Sequence, residues 1–215
     1  MTREWVYMAE RNSIKMKHDA TRFLFAYWSN LRADRAAPHR REIEPAEIGR
    51  VLSNTFILEA EIDGSYNYRL AGTHICAAFG RELKGADWLV GWPGRDREAL
   101  ATLMRSTVSD GAGALLGFDG RNARQQRVPF ESLLLPLAYD GPQYRRILGL
   151  TVPLDNPYWL GALPVTETAL TSLSPIWPSG RDNASSPETA DRPATEQRMP
   201  LRRMGHLALY DGGQP

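Results

Sequence analysis

Apolar residues at Met16, Ala20, Phe23, Leu24, Tyr27, Trp28 and Leu31 recur at spacings of three and four, which predicts a helix with one wide apolar stripe. Lys15, Lys17, Asp19, Arg22 and Asn30 fall largely on its other face. Pro38 cannot continue a helix, so the element ends near Asp34. Pro45 suits the first turn of a short helix with Ile48, Val51 and Leu52 inward. The period then shortens. Thr55–Ile62 and Tyr66–Ala71, joined by Asp63-Gly64-Ser65, read as a hairpin. Thr73 is placed to cap a short helix, His74 to Phe79, which Gly80 stops. Asp96 to Asp110 is a longer helix ended by Gly111 and Gly113. Three strand-like runs follow, 114–121, 128–138 and 144–152, the last two parted by Asp140-Gly141-Pro142. The run from Val128 to Leu137 is too apolar for an edge facing water.

Past Pro153 the texture loosens, although Trp159, Leu160, Leu163, Val165 and Leu170 are available to pack back. The chain divides into an N-terminal arm (1–15), a helical segment (16–52), a core (53–153), an extension packed on the core (154–177), a Pro- and Ser-rich stretch (178–200) expected to be disordered, and a short amphipathic tail (201–215) suited to docking.

Composition adds limits. The 215 residues allow one domain with appendages, and 42% hydrophobic with 24% charged residues is an ordinary globular balance. A net charge of +1 argues against a dedicated nucleic-acid binder. The Arg32, Arg35, Arg40, Arg41 group is interleaved with Asp34, Glu42 and Glu44 and reads as a solvated connector. Cys76 is the single cysteine, so neither an intramolecular disulfide nor a multi-cysteine zinc site is available. The charged N-terminus lacks a signal-peptide core, and no apolar run approaches the roughly 20 residues of a membrane span, so the expected compartment is the cytoplasm.

The order strand, strand, short helix, turn, longer helix, three strands is that of a PAS domain. Wording within it agrees: Tyr68-Arg69-Leu70-Ala71-Gly72-Thr73, and then Phe79-Gly80-Arg81-Glu82-Leu83-Lys84-Gly85, resemble the PAS stretch in which the second strand runs into a short helix. Tyr27-Trp28, Phe130-Glu131-Ser132-Leu133-Leu134-Leu135-Pro136-Leu137 and Ile147-Leu148-Gly149 resemble the small single-PAS proteins common in alphaproteobacteria, over roughly residues 20–165. The resemblance implies an α+β fold: a five-stranded antiparallel sheet with helices on one face, preceded by the amphipathic helix. It also implies a pocket between sheet and helices, and regulation rather than catalysis.

No cofactor is evident. The light-sensing flavin chemistry of such domains needs Cys in an Asn-Cys-Arg-Phe setting, whereas Cys76 follows His74-Ile75 and reads as a small buried residue. Haem would take a His from the longer helix, and residues 96–110 contain none. His18, His39 and His206 are scattered and form no metal-ligand spacing. A phosphate loop and a Gly-x-Ser-x-Gly elbow are both missing. Candidate pocket residues are Arg69, Thr73, His74, Arg81, Trp88 and Trp92; the arginines suit an anionic ligand or salt bridges to Glu82, Asp87 or Asp96, and the tryptophans suit stacking or core filling. Three functions compete. In the first, the protein is a non-catalytic interaction module, a homodimer through Phe23, Tyr27, Trp28 and Leu31 that acts on a separate signalling protein. In the second it is a small-molecule sensor. The third, a small α+β enzyme, lacks a recognisable acid–base or nucleophile set.

Overall fold

The structure, a computed structural model, describes residues 15–138 and 145–177, together with the backbone of 202–204 and 207–209. The hairpin forms as the sequence predicts, from β1 (Thr55–Ala60) and β2 (Tyr66–Ala71). Asp63 accepts hydrogen bonds from the Ser65 amide at 3.0 Å and hydroxyl at 2.7 Å and so closes the turn. Strand β1 stops at Ala60, leaving Ile62 in the turn and 97% exposed. Then come β3 (Gly113–Asn122), β4 (Arg127–Leu137), β5 (Arg146–Pro153) and β6 (Val165–Ile176). The antiparallel order is β2-β1-β5-β4-β3-β6.

The sheet therefore has six strands, not five. The extra strand comes from the extension, whose Thr- and Ser-rich wording hides its alternation: Val165 and Leu170 join the inward-facing core while Ile176 joins the other face. The expected turn at 140–142 and the stretch at 178–200 lie outside the described residues. Arg202–Met204 and Leu207–Leu209, in the segment read as a docking tail, form a two-stranded antiparallel hairpin.

Both faces of the sheet are apolar because both are covered. On β4, Leu133, Leu135 and Leu137 point one way with Leu148, Leu150 and Val152 of β5. Phe130 and Leu134 point the other way with Ile147. This explains why β4, central between β5 and β3, lacks the polar alternation of a half-exposed strand.

Helix α1 (Asp19–Arg32) covers the first face. Leu24 and Trp28 are buried there, and the Trp28 indole donates to the Pro136 carbonyl at 2.9 Å. The helix begins at Asp19 rather than Met16 because its start is pinned from outside. Glu131 of β4, only 3% exposed, accepts the amides of Lys17 at 2.7 Å and His18 at 3.0 Å. The His18 ring accepts the Ala20 amide at 3.0 Å as the N-cap. The helix expected from Pro45 is a short 3-10 turn, Gly49–Asn54, with Leu52 exposed, since Thr55 already opens β1 and its hydroxyl donates to the Val51 carbonyl at 2.8 Å.

Helices α2 (Thr73–Phe79) and α3 (Gly94–Asp110) cover the opposite face, α3 through Leu100, Leu103 and Met104. Helix α2 ends at Gly80 with φ 63°, where a Cβ would come within 2.7 Å of Pro164. That approach ties the helix to the chain entering β6.

Candidate ligand cavity

Strand β2 alternates, so Tyr66 and Tyr68 face inward towards α2 and α3. Asp87 then accepts the Tyr66 amide at 3.0 Å and the Leu89 amide at 3.1 Å. This double acceptance fixes the 3-10 turn Trp88–Gly91 against β2 and sets the Trp88 ring over the sheet. A chain of rings follows: Trp88 to Trp92 at 5.4 Å between centroids, Trp92 to Phe118 at 5.0 Å edge-on, and Phe118 to Phe130 at 4.9 Å stacked.

These elements enclose a cavity of about 370 Å³, within the range of small-molecule sites. Its aromatic lining is Tyr68, Phe79, Trp88, Trp92 and Phe118. Ser132 of β4 and Thr151 of β5 supply hydroxyls from the sheet. The two are cross-strand partners, 2.9 Å apart, and Ser132 also lies 3.0 Å from the Leu150 carbonyl, to which it donates. The start of β6 adds Val165, Thr166 and Thr168 as a side wall. Thr168 donates to the Gly91 carbonyl at 2.7 Å, and Asp96 of α3 accepts the Leu170 amide at 2.8 Å, so the wall is fastened to the aromatic turn and to α3. Burial pushes the Tyr68 phenol up from its usual value despite the nearby Arg81 charge, so the hydroxyl stays protonated as a donor.

A second hollow, about 530 Å³, lies where β1 begins and β5 ends. It is bounded by the start of α1 at His18, by α2 and by the segment 152–161. Phe79 and Thr151 line both spaces.

Of the six residues expected in a pocket, Arg81, Trp88 and Trp92 line the cavity, and His74 lines the second hollow. Arg69 and Thr73 line neither. Arg69 bonds to Glu59 on the face of the hairpin opposite the tyrosines, and Thr73 is an exposed first-turn residue whose side chain does not cap the helix. Glu82, Asp87 and Asp96 do not pair with Arg81: they accept amides of Leu83 and Lys84, of Tyr66 and Leu89, and of Leu170 respectively. Among the described residues no carboxylate forms an ion pair with Arg81. The cavity also takes Tyr68, Ser132, Thr151 and the β6 wall, none of them among the six expected pocket residues, although a serine inside a leucine run is a legible signal.

The expected interface residues sit against the chain's own fold. Trp28 is 3% exposed, and Phe23, Tyr27 and Leu31 are half-buried at its rim, with Arg50 stacked 3.5 Å over the Phe23 ring. Cys76 is partly buried, with its sulfur 3.7 Å from Glu82. Among the described residues no three His, Cys, Asp or Glu side chains group as a metal site, and no helix is long and apolar enough to cross a membrane.

An antiparallel sheet with helices bordering a cavity on one face defines the chain as an α+β domain with a ligand-sized space beneath its helices. A family profile described as PAS domain matches residues 16–152, and the chain belongs to the PAS-domain family, a family of signalling and sensor modules. No curated protein matches it significantly in sequence. Among solved structures it is similar to a LOV protein of Rhodobacter sphaeroides (10% identity, TM-score 0.40, covering 54% of this chain and 71% of that one). It is also similar to a PAS domain from Colwellia psychrerythraea (12%, 0.37, 51% and 95%) and to the PAS domain of an HTR-like protein from Haloarcula marismortui (18%, 0.36, 51% and 90%).

Proposed function

We propose that this chain is a non-catalytic, cytoplasmic sensor whose cavity holds a small planar organic molecule, and that occupancy is read by a separate signalling protein. The observation that supports this most is the composition of the cavity wall. Five aromatic side chains offer ring faces or edges, Ser132 and Thr151 offer buried hydroxyls, and Arg81 offers a guanidinium that pairs with no carboxylate among the described residues. A planar body stacked on tryptophan with an anionic group toward Arg81 matches that set. Strand β6 gives the cavity a route to the surface, because its first residues form the wall and the rest forms the sheet's outer strand.

The test is titration of the full chain with a panel of fused-ring organic acids, read by tryptophan fluorescence. At least one acid is expected to bind saturably, with about tenfold weaker binding in Arg81→Gln and loss in Trp88→Ala. A flat response across the panel would count against the reading. A homodimer remains the alternative route to signalling. The half-buried rim of Phe23, Tyr27 and Leu31 favours it, while Trp28 is occupied inside the chain.

A further inference from the structure

The sensor cavity and the second hollow share a boundary made of two residues, Phe79 and Thr151, which line both. On the sheet side the floor is continuous across it. Phe118 lines the cavity and Phe130 lines the hollow, and these two rings are register partners across β3 and β4, stacked 4.9 Å apart. Thr151 is held in the sheet, with its hydroxyl 2.9 Å from that of Ser132. Phe79 is held less firmly. It is the last residue of α2 and half-buried, and among the described residues no ring stacks on it. It is therefore the member of the boundary that can change rotamer.

The two spaces differ in charge. Arg81 and Asp87 line the cavity, whereas no Asp, Glu, Lys or Arg among the described residues lines the hollow. The buried part of the hollow's wall is apolar: Ile75 and Ala78 of α2, and Phe130 and Val152 of the sheet. Its polar residues are engaged within the protein. His74 Nδ1 lies 3.0 Å from the Ser53 hydroxyl and 3.2 Å from Asn54 Oδ1, Asn54 donates to the Thr151 carbonyl at 3.2 Å, and His18 accepts the Ala20 amide at 3.0 Å.

We propose that the two spaces are one elongated site, and that its ligand is a planar acid carrying an alkyl arm. The acid and its ring system occupy the cavity, where Arg81 is the permanent cation. The arm passes Phe79 and lies along Phe130 in the hollow. Each methylene that leaves water for that apolar wall favours binding, and the arm displaces no hydrogen bond of the wall's polar residues. The proposal rests on the sensor reading and names the class of ligand that the sensor takes.

The test is isothermal titration calorimetry of the full chain with a naphthoate series bearing hydrogen, methyl, propyl or hexyl on the ring opposite the carboxylate. Affinity is expected to rise about threefold with each carbon of the chain. Ala77 lines the hollow from an exposed position on α2, so Ala77→Trp can fill the hollow without disturbing the core. That variant should cancel the rise, measured against the unsubstituted acid in the same variant. Phe79→Ala removes the boundary ring and should widen the advantage of the hexyl compound over the unsubstituted one. Equal affinities along the series, with the unsubstituted acid bound, would overturn the elongated site and leave the sensor reading intact. A rise that Ala77→Trp leaves unchanged would do the same, because the arm would then lie elsewhere. Binding of no member of the series would count against the sensor reading itself and remove this proposal with it.

Discussion

Ser132 and Thr151 face each other across β4 and β5 with their hydroxyls 2.9 Å apart, forming a polar pair in an otherwise apolar stretch of sheet. Ser132 donates to the Leu150 carbonyl, so the Thr151 proton is directed at Ser132 and its lone pairs remain open to the cavity. Removing one hydroxyl leaves the other buried without its partner. Ser132→Val should lower stability by about 1–3 kcal/mol, and Ser132→Val with Thr151→Val by less than the sum of the two single changes. Urea unfolding of the three variants measures this; strict additivity would show that the pair is not coupled.

Gly149 owes its place to Phe56. The two are register partners across β1 and β5, and a Cβ on Gly149 would lie 2.1 Å from the Phe56 ring. Gly149→Ala is expected to destabilise by about 3 kcal/mol or more, as overpacking of a fully buried ring does. Adding Phe56→Leu should recover part of the loss. Thermal denaturation of the single and double variants checks this.

Glu131 is a buried carboxylate that serves α1 instead of a ligand. Its two acceptances hold the backbone at Lys17 and His18. Glu131→Ala should cost about 1.5–3 kcal/mol and speed hydrogen exchange in the first turns of α1, because hydrogen bonds to a charged acceptor are the stronger kind. Unchanged exchange at residues 19–24 would contradict the role.

Acid stability has a local source at the other end of α1. Glu42 accepts from the Arg35 guanidinium at 2.9 Å through both oxygens and from the His39 amide at 2.6 Å. The Arg35 contact above all holds its carboxyl down to about 2, from an ordinary 4.5. A carboxyl depressed in the folded state contributes stability above its unfolded value and loses it as pH falls through the folded one. Stability should therefore decline between about pH 4.5 and 2. Glu42→Gln should flatten that part of the pH profile while lowering stability at neutral pH.

The elements were legible where one physical rule governed them. The α1 stripe, the hairpin and the apolar run of β4 announced their periods, and Trp88 and Trp92 fell beside the breakers that shape the cavity. Other residues depended on partners far along the chain. Glu131 has no legible role within its apolar run until Lys17 and His18, more than a hundred positions earlier, bring their amides to it. Arg69 reads as a pocket residue because it sits in a hairpin strand beside Leu70, but alternation sends it to the face opposite Tyr68, beside Glu59. Strand β6 was hidden because an outer strand needs few apolar residues: only Val165 and Ile176 in it are buried.

The most direct measurement is the mass of freshly purified full-length chain under native and denaturing conditions. The cavity reading predicts a reproducible excess mass that vanishes on denaturation and is missing in Thr168→Phe, where a ring enters the cavity from its β6 wall. A native mass equal to that of the bare chain in repeated preparations, or an excess mass that Thr168→Phe still retains, would contradict it.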